Sequence, residues 1–223
     1  MFRNWLAIFK GNTLMDRAYK RSFKMLDTTR EMYMAAQNTL RHTHDIKMDV
    51  NIRNKDVEIN QYEREVRRDV FNHLAVRGID DLTSGLILIS IIIDIERIGD
   101  YTKNIVDLTM NHPDKLHGGK FEDELVRVER AVEDNFVRTK NCFQHGNSET
   151  AGKLLDEYQW VNRVCDNSLM GLVKEEDKSI SAGDAASLAL YFRWLKRINS
   201  HLRNITTSVV NPFDRIGFTP KNK

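Results

Sequence analysis

The sequence predicts an all-α fold built as two tandem antiparallel three-helix bundles related by a pseudo-twofold repeat. Three observations carry this expectation. The 223 residues include only 3 prolines and 11 glycines, too few for an all-β protein made of many tight turns. Apolar residues recur at helical spacing over long stretches, and Pro113, Pro212 and Pro220 all fall outside them. Finally, ERIGDYTKNI at residues 96–105 returns as KRINSHLRNI at 196–205. Arg97, Ile98, Asn104 and Ile105 match Arg197, Ile198, Asn204 and Ile205 at an offset of one hundred, the mark of a tandem duplication.

Each element has a local reason. Leu14, Ala18, Met25, Met32, Ala36 and Leu40 line one face of a first helix. Thr13 is its expected N-cap, and Asp16 three residues on approximates a capping box. The pattern fades near His42-Thr-His-Asp45 without a glycine to mark the turn. A second helix runs to about Arg77 with Ile59, Tyr62, Val66, Val70 and Leu74 on one face. Gly78 stops it and Asp81 is the expected acidic N-cap of the third helix, roughly Leu82 to Met110. That helix is apolar around most of its circumference from Leu86 to Ile93, which predicts packing on several sides. The second half repeats the rhythm: helices over Phe121–Phe143, Glu149 to about Lys174, and Ala185–Val210, separated by turns at Gly146–Ser148 and Ser179–Asp184. The expected organisation is an N-terminal segment 1–12, a first repeat 13–111, a linker 112–120, a second repeat 121–211 and a basic tail 212–223.

Composition excludes several function classes. Hydrophobic residues at 41% and charged residues at 30% describe a globular chain rather than a disordered one. Cys142 and Cys165 lack CxxC or Cys/His spacing, which argues against a disulfide scaffold or structural zinc and fits a reducing compartment. The greasiest run, Leu82 to Asp94, is too short for a membrane span of about 20 residues. The net charge of +2 conceals an asymmetry, because residues 1–30 and 193–223 each carry seven Lys or Arg against few acids. Basic ends on an acidic middle point to anionic surroundings near the termini or simply to solvated helix faces. Phe2, Trp5, Leu6, Ile8 and Phe9 make a short aromatic-rich segment that suits a membrane interface, a groove on a membrane protein, or an open bundle end. No phosphate-binding loop, GxSxG elbow, GxGxxG or HExxH is present. None of the 7 histidines follows a Glu by three residues, against a di-iron oxidase bundle. The chain therefore reads as a non-enzyme, and zinc-finger, RNP and basic-zipper patterns for nucleic acid are also missing.

One constellation could carry chemistry. Glu96 and Asp100 stack on one face of the third helix, and Asp56 and Asn60 share the same spacing on the second. If those helices are antiparallel neighbours, the four side chains converge as an all-oxygen cluster suited to Mg²⁺, Mn²⁺ or iron. Crowded carboxylates without a cation repel one another. Arg97 and Arg64 are the alternative neutralisers, as ordinary ion pairs.

Glu96-Arg-Ile-Gly-Asp100 followed by Asn104-Ile105, with Asp56-x-x-x-Asn60 upstream, resembles the paired signature of PhoU-domain proteins, over about residues 14 to 211. The resemblance implies a cytoplasmic adaptor and regulator of phosphate homeostasis, peripherally associated with the inner membrane. Its implied partners are a phosphate transporter or permease and a sensor histidine kinase, with the membrane reached through the partner and no nucleic acid bound; a homo-oligomer is also allowed. It further implies a divalent or trivalent metal ion (Mg, Mn, Fe or Zn) on Asp56, Asn60, Glu96 and Asp100. The second half departs from the signature. Lys196 stands at the position of Glu96, Ser200 at that of Asp100 and Tyr158 at that of Asp56, with only Asn162 matching Asn60. A protonated lysine offers no lone pair, so one metal site is expected, in the first repeat, with Asp156 and Glu157 as the nearest carboxylates in the second. The departure leaves open an accessory subunit of a low-affinity or sodium-coupled permease. From other classes, a carboxylate-site metalloenzyme or metal store, and a purely structural helical repeat, remain alternatives.

Overall fold

The computed structural model describes residues 13–43 and 51–220, and the aromatic N-terminal segment lies outside them. Among the described residues there are seven α-helices: α1 Leu14–His42, α2 Ile52–Arg77, α3 Leu82–Asn111, α4 Glu122–His145, α5 Ser148–Glu157, α6 Gln159–Val173 and α7 Ala182–Val210.

Helix α1 starts where its cap dictates. Thr13 Oγ1 accepts from the Asp16 N–H at 3.1 Å, and the Asp16 carboxylate accepts from the Thr13 N–H at 3.0 Å, a complete capping box. Tyr19, Met25, Leu26, Met32, Tyr33 and Leu40 then form its buried stripe. Asn51 caps α2 by accepting from the Asn54 N–H. At the far end Gly78 takes φ +73°, a conformation open to glycine, and closes the helix through its N–H to the Leu74 carbonyl. Asp81, expected as an N-cap, makes no cap hydrogen bond to α3. Its carboxylate instead meets Nε2 of the buried His73 at 2.7 Å, and the chain enters α3 through a single 3-10 turn, Gly78–Asp81.

The stretch expected as one helix from Glu149 to about Lys174 is two, interrupted at Tyr158. Neither glycine nor proline causes the break. Tyr158 is buried, its hydroxyl donates to Asp134 and accepts from Arg138, both on α4, and the backbone turns to deliver it there. Helix α7 begins three residues before the expected Ala185 because Ser181 Oγ accepts from the Asp184 N–H at 3.0 Å.

In the first repeat α1, α2 and α3 pack on one another; in the second α4, α5 and α6 pack around α7. The repeats join chiefly through their third helices, α3 against α7. Tyr101 and His201, one hundred residues apart, stack on each other with centroids at 5.7 Å. Beside them Asp94 accepts from Asn204 at 2.9 Å and meets His201 at 2.7 Å, while Arg197 donates to the Tyr101 hydroxyl at 3.1 Å. The burial pattern of residues 91–106 recurs residue for residue at 191–206. The connection between the repeats is pinned: the Leu116 N–H donates to the Leu40 carbonyl at 3.0 Å, and Leu116 is fully buried. Buried Arg41 bonds the Leu116 carbonyl and pairs with Glu122 and Glu129 of α4. Burial pushes the Glu129 carboxyl above the usual range, although Arg41 and the Tyr191 hydroxyl oppose the shift.

Many of the basic residues near the start of the chain are occupied within the fold. Arg17 and Arg21 both pair with the buried Asp69, Arg21 also with Glu65, and Lys24 with Glu58. Cys142 and Cys165 are buried free thiols, and burial pushes Cys165 up to about 12. Among the described residues no helix is long and apolar enough to cross a membrane.

Candidate functional site

A glycine sets the spacing of the candidate site. A Cβ on Gly99 would stand 3.2 Å from Ile59 Cδ1, so the bare backbone lets α2 lie close against α3. That approach brings the face bearing Asp56 and Asn60 to the face bearing Glu96 and Asp100. The Asn60 amide donates to Asp56 Oδ2 at 3.4 Å. Arg97 donates to Asp100 at 3.0 Å and lies 3.6 Å from Glu96. The other expected neutraliser, Arg64, is exposed on α2.

Lys103 is the member of this cluster that motif reading passes over. Its Nζ stands 2.9 Å from Asp56 Oδ1 and 2.9 Å from Asp100 Oδ1, bridging the two helices. Burial works against its charge, yet the bonds to Asp100 and Asp56 outweigh this and hold the ammonium above its usual pKa. The available signal was the i,i+3 spacing from Asp100 to Lys103. Burial first, and then the like charge of Asp100, push the Glu96 carboxyl above the usual range; Arg97 opposes this and Glu63 adds to it.

The donor set is all oxygen and suits a hard cation. The Lys103 ammonium stands in for such a cation between Asp56 and Asp100, and among the described residues no three His, Cys, Asp or Glu side chains converge as a ready-made metal cage. The residues fit a metal ion in chemistry, with Lys103 as its built-in competitor.

The matching place in the second repeat is wired differently. Asn199, at the position of Gly99, is fully buried, accepts from Asn135 at 2.9 Å and donates to Asn162 at 3.0 Å. Asn162 in turn donates to Ser200 Oγ at 3.0 Å. Lys196 turns to Asp166, bonding both its oxygens at 2.6 and 2.7 Å. Glu157 is held by both Nη atoms of Arg138, and Asp156 is exposed.

These features define a class: a helical scaffold of two units, three helices in the first and four in the second, with an acidic inter-helix cluster in the first and a neutral-to-basic counterpart in the second. The PhoU domain family matches residues 23–109, which hold the whole acidic cluster. The first repeat thus carries a match to the PhoU domain. The chain's fold is that of PhoU from Pseudomonas aeruginosa, with a TM-score of 0.79 at 21% identity over 88% of this chain and 95% of that one. The phosphate transport system regulatory protein PhoU from Streptococcus pneumoniae aligns with a TM-score of 0.72 at 16% identity, over 94% of this chain and 95% of that one. Among curated proteins none matches the chain.

Proposed function

We propose that this protein is a non-enzymatic adaptor and regulator of phosphate uptake and phosphate-responsive signalling. It acts by binding a phosphate transporter or permease, a sensor histidine kinase, or both, at the cytoplasmic face of the inner membrane. The observation that carries this reading is the PhoU domain at residues 23–109, supported by a fold shared along the chain with a phosphate transport system regulator. Membrane association in this reading comes through the partner. A partner would cover apolar surface such as Phe71, Val76 and Ile79, which are 71%, 83% and 82% exposed at the end of α2 and the turn after it.

The acidic cluster serves this role as a clasp between α2 and α3. In the resting arrangement Lys103 closes it; a divalent or trivalent ion on Asp56, Asn60, Glu96 and Asp100 closes it when Lys103 is displaced. Either cation offsets the repulsion that separates unpaired carboxylates.

The test is affinity co-purification from detergent-solubilised cells grown in scarce and in plentiful phosphate. Recovery of a phosphate permease or sensor kinase in a phosphate-dependent way is the expected result and names the branch. Recovery of no membrane protein in either condition would remove the transport role.

A further inference from the structure

The second repeat opens a cleft where the first has its acidic cluster. The cleft encloses about 600 Å³ between α6, α7 and the C-terminal tail, and Asn162, Arg163, Asp166, Ser200 and Arg203 line it. Aligning Asn60 with Asn162 and Glu96 with Lys196 pairs the acids Asp56, Glu63, Glu96 and Asp100 with Tyr158, Cys165, Lys196 and Ser200. Four acidic side chains give way to none, and Lys103 gives way to Arg203. The frame is kept while these four acids are lost, and the same alignment sets Asp166 at the position of Arg64.

Two guanidinium groups in the lining are uncommitted. Among the described residues neither Arg163 nor Arg203 makes a hydrogen bond or ion pair. Arg203 is half-buried, and burial pulls its pKa below the ordinary value with Asp156 alone opposing. A desolvated guanidinium without a carboxylate leaves its planar donor fork unmet, the arrangement that recognises oxyanions. The carboxylate in the lining, Asp166, is neutralised by Lys196 at 2.6 Å, so it does not cancel the arginines. The far wall is a built structure. Asn211 Nδ2 donates to the carbonyls of Arg215 and Phe218, and the Gly217 N–H donates to Thr207 Oγ1 at 2.7 Å. This fold-back places Phe218, 62% exposed, on the rim as an apolar face.

We infer that this cleft is a binding site for a phosphoryl-bearing anion, with Arg203 and Arg163 holding the phosphoryl oxygens and Phe218 covering an organic body. The volume favours a phosphorylated organic molecule over the bare ion, because sites of about 300–1,000 Å³ enclose whole small molecules. The inference stands on the geometry of the second repeat and goes beyond the adaptor role.

Calorimetric titration of the full chain with adenosine monophosphate and, separately, with inorganic phosphate tests it. The expected result is binding of the nucleotide that weakens about tenfold or more in Arg203→Met, with R203K retaining part of the affinity and thermal unfolding unchanged in both. Arg203-dependent binding of inorganic phosphate with equal affinity would support the phosphoryl site and make the free ion its source. Phe218→Ala is expected to weaken the nucleotide and leave inorganic phosphate unaffected. Binding of neither probe, or binding that R203M leaves unchanged while the variant stays folded, would overturn the proposal.

Discussion

At matching points of the third helices, the first repeat carries Glu96, Gly99 and Asp100, and the second carries Lys196, Asn199 and Ser200. The burial of the surrounding sixteen positions is the same in both. Where the first repeat holds its helices with charge, through Lys103 between Asp56 and Asp100, the second uses a neutral chain from Asn135 through Asn199 and Asn162 to Ser200. The frame thus depends on the apolar positions, Ile91, Ile95, Ile98 and Ile105 with their counterparts Tyr191, Leu195, Ile198 and Ile205. The polar positions between them are free to take opposite chemistries.

The comparison can be broken most severely where the repeats meet. Arg41→Met strands Glu129 in the core and is expected to cost about 3–5 kcal/mol at neutral pH, measured by urea unfolding. Because burial raises the folded pKa of Glu129, the stability tied to its protonated form is full below the unfolded value of about 4.3 and is lost as pH rises through the folded value. The R41M deficit therefore shrinks on acidification; a deficit constant from neutral pH to about pH 4 would contradict this assignment.

The neutral network comes next. Asn199→Ala leaves the Asn135 amide donor and the Asn162 amide oxygen without partners, and is expected to cost about 2–3 kcal/mol. Exchanging residues between repeats is a sharper test. Gly99→Asn forces a side chain into space where even a Cβ lies 3.2 Å from Ile59, with an expected cost of about 1–2 kcal/mol. A neutral outcome in chemical unfolding would mean that α2 and α3 need no close approach.

Much of this frame was legible in the sequence. The Thr13–Asp16 capping box, the stop at Gly78 and the hundred-residue offset follow from local spacing, and local spacing is what a sequence displays. Elements set by distant partners were hidden. Tyr158 breaks a helix because Asp134 and Arg138 receive its hydroxyl, and Asp81 fails as a cap because His73 takes its carboxylate. The acids of the candidate site were readable as a motif on two helix faces. Lys103 was not, since only the approach of α2, permitted by Gly99, gives it a second carboxylate to bridge. The cleft in the second repeat was hidden for a similar reason: the tail that walls it returns through hydrogen bonds from Asn211.

We propose that the first repeat holds a cation site and that the second lacks one. Counting Mn²⁺ bound per chain by electron paramagnetic resonance, in the unaltered protein, Lys103→Met and the double variant E96Q/D100N, tests this directly. The expected result is a single ion, bound about fivefold more tightly once the competing ammonium is removed, and lost in the double variant. Two ions per chain, or one ion that survives loss of both Glu96 and Asp100, would contradict it.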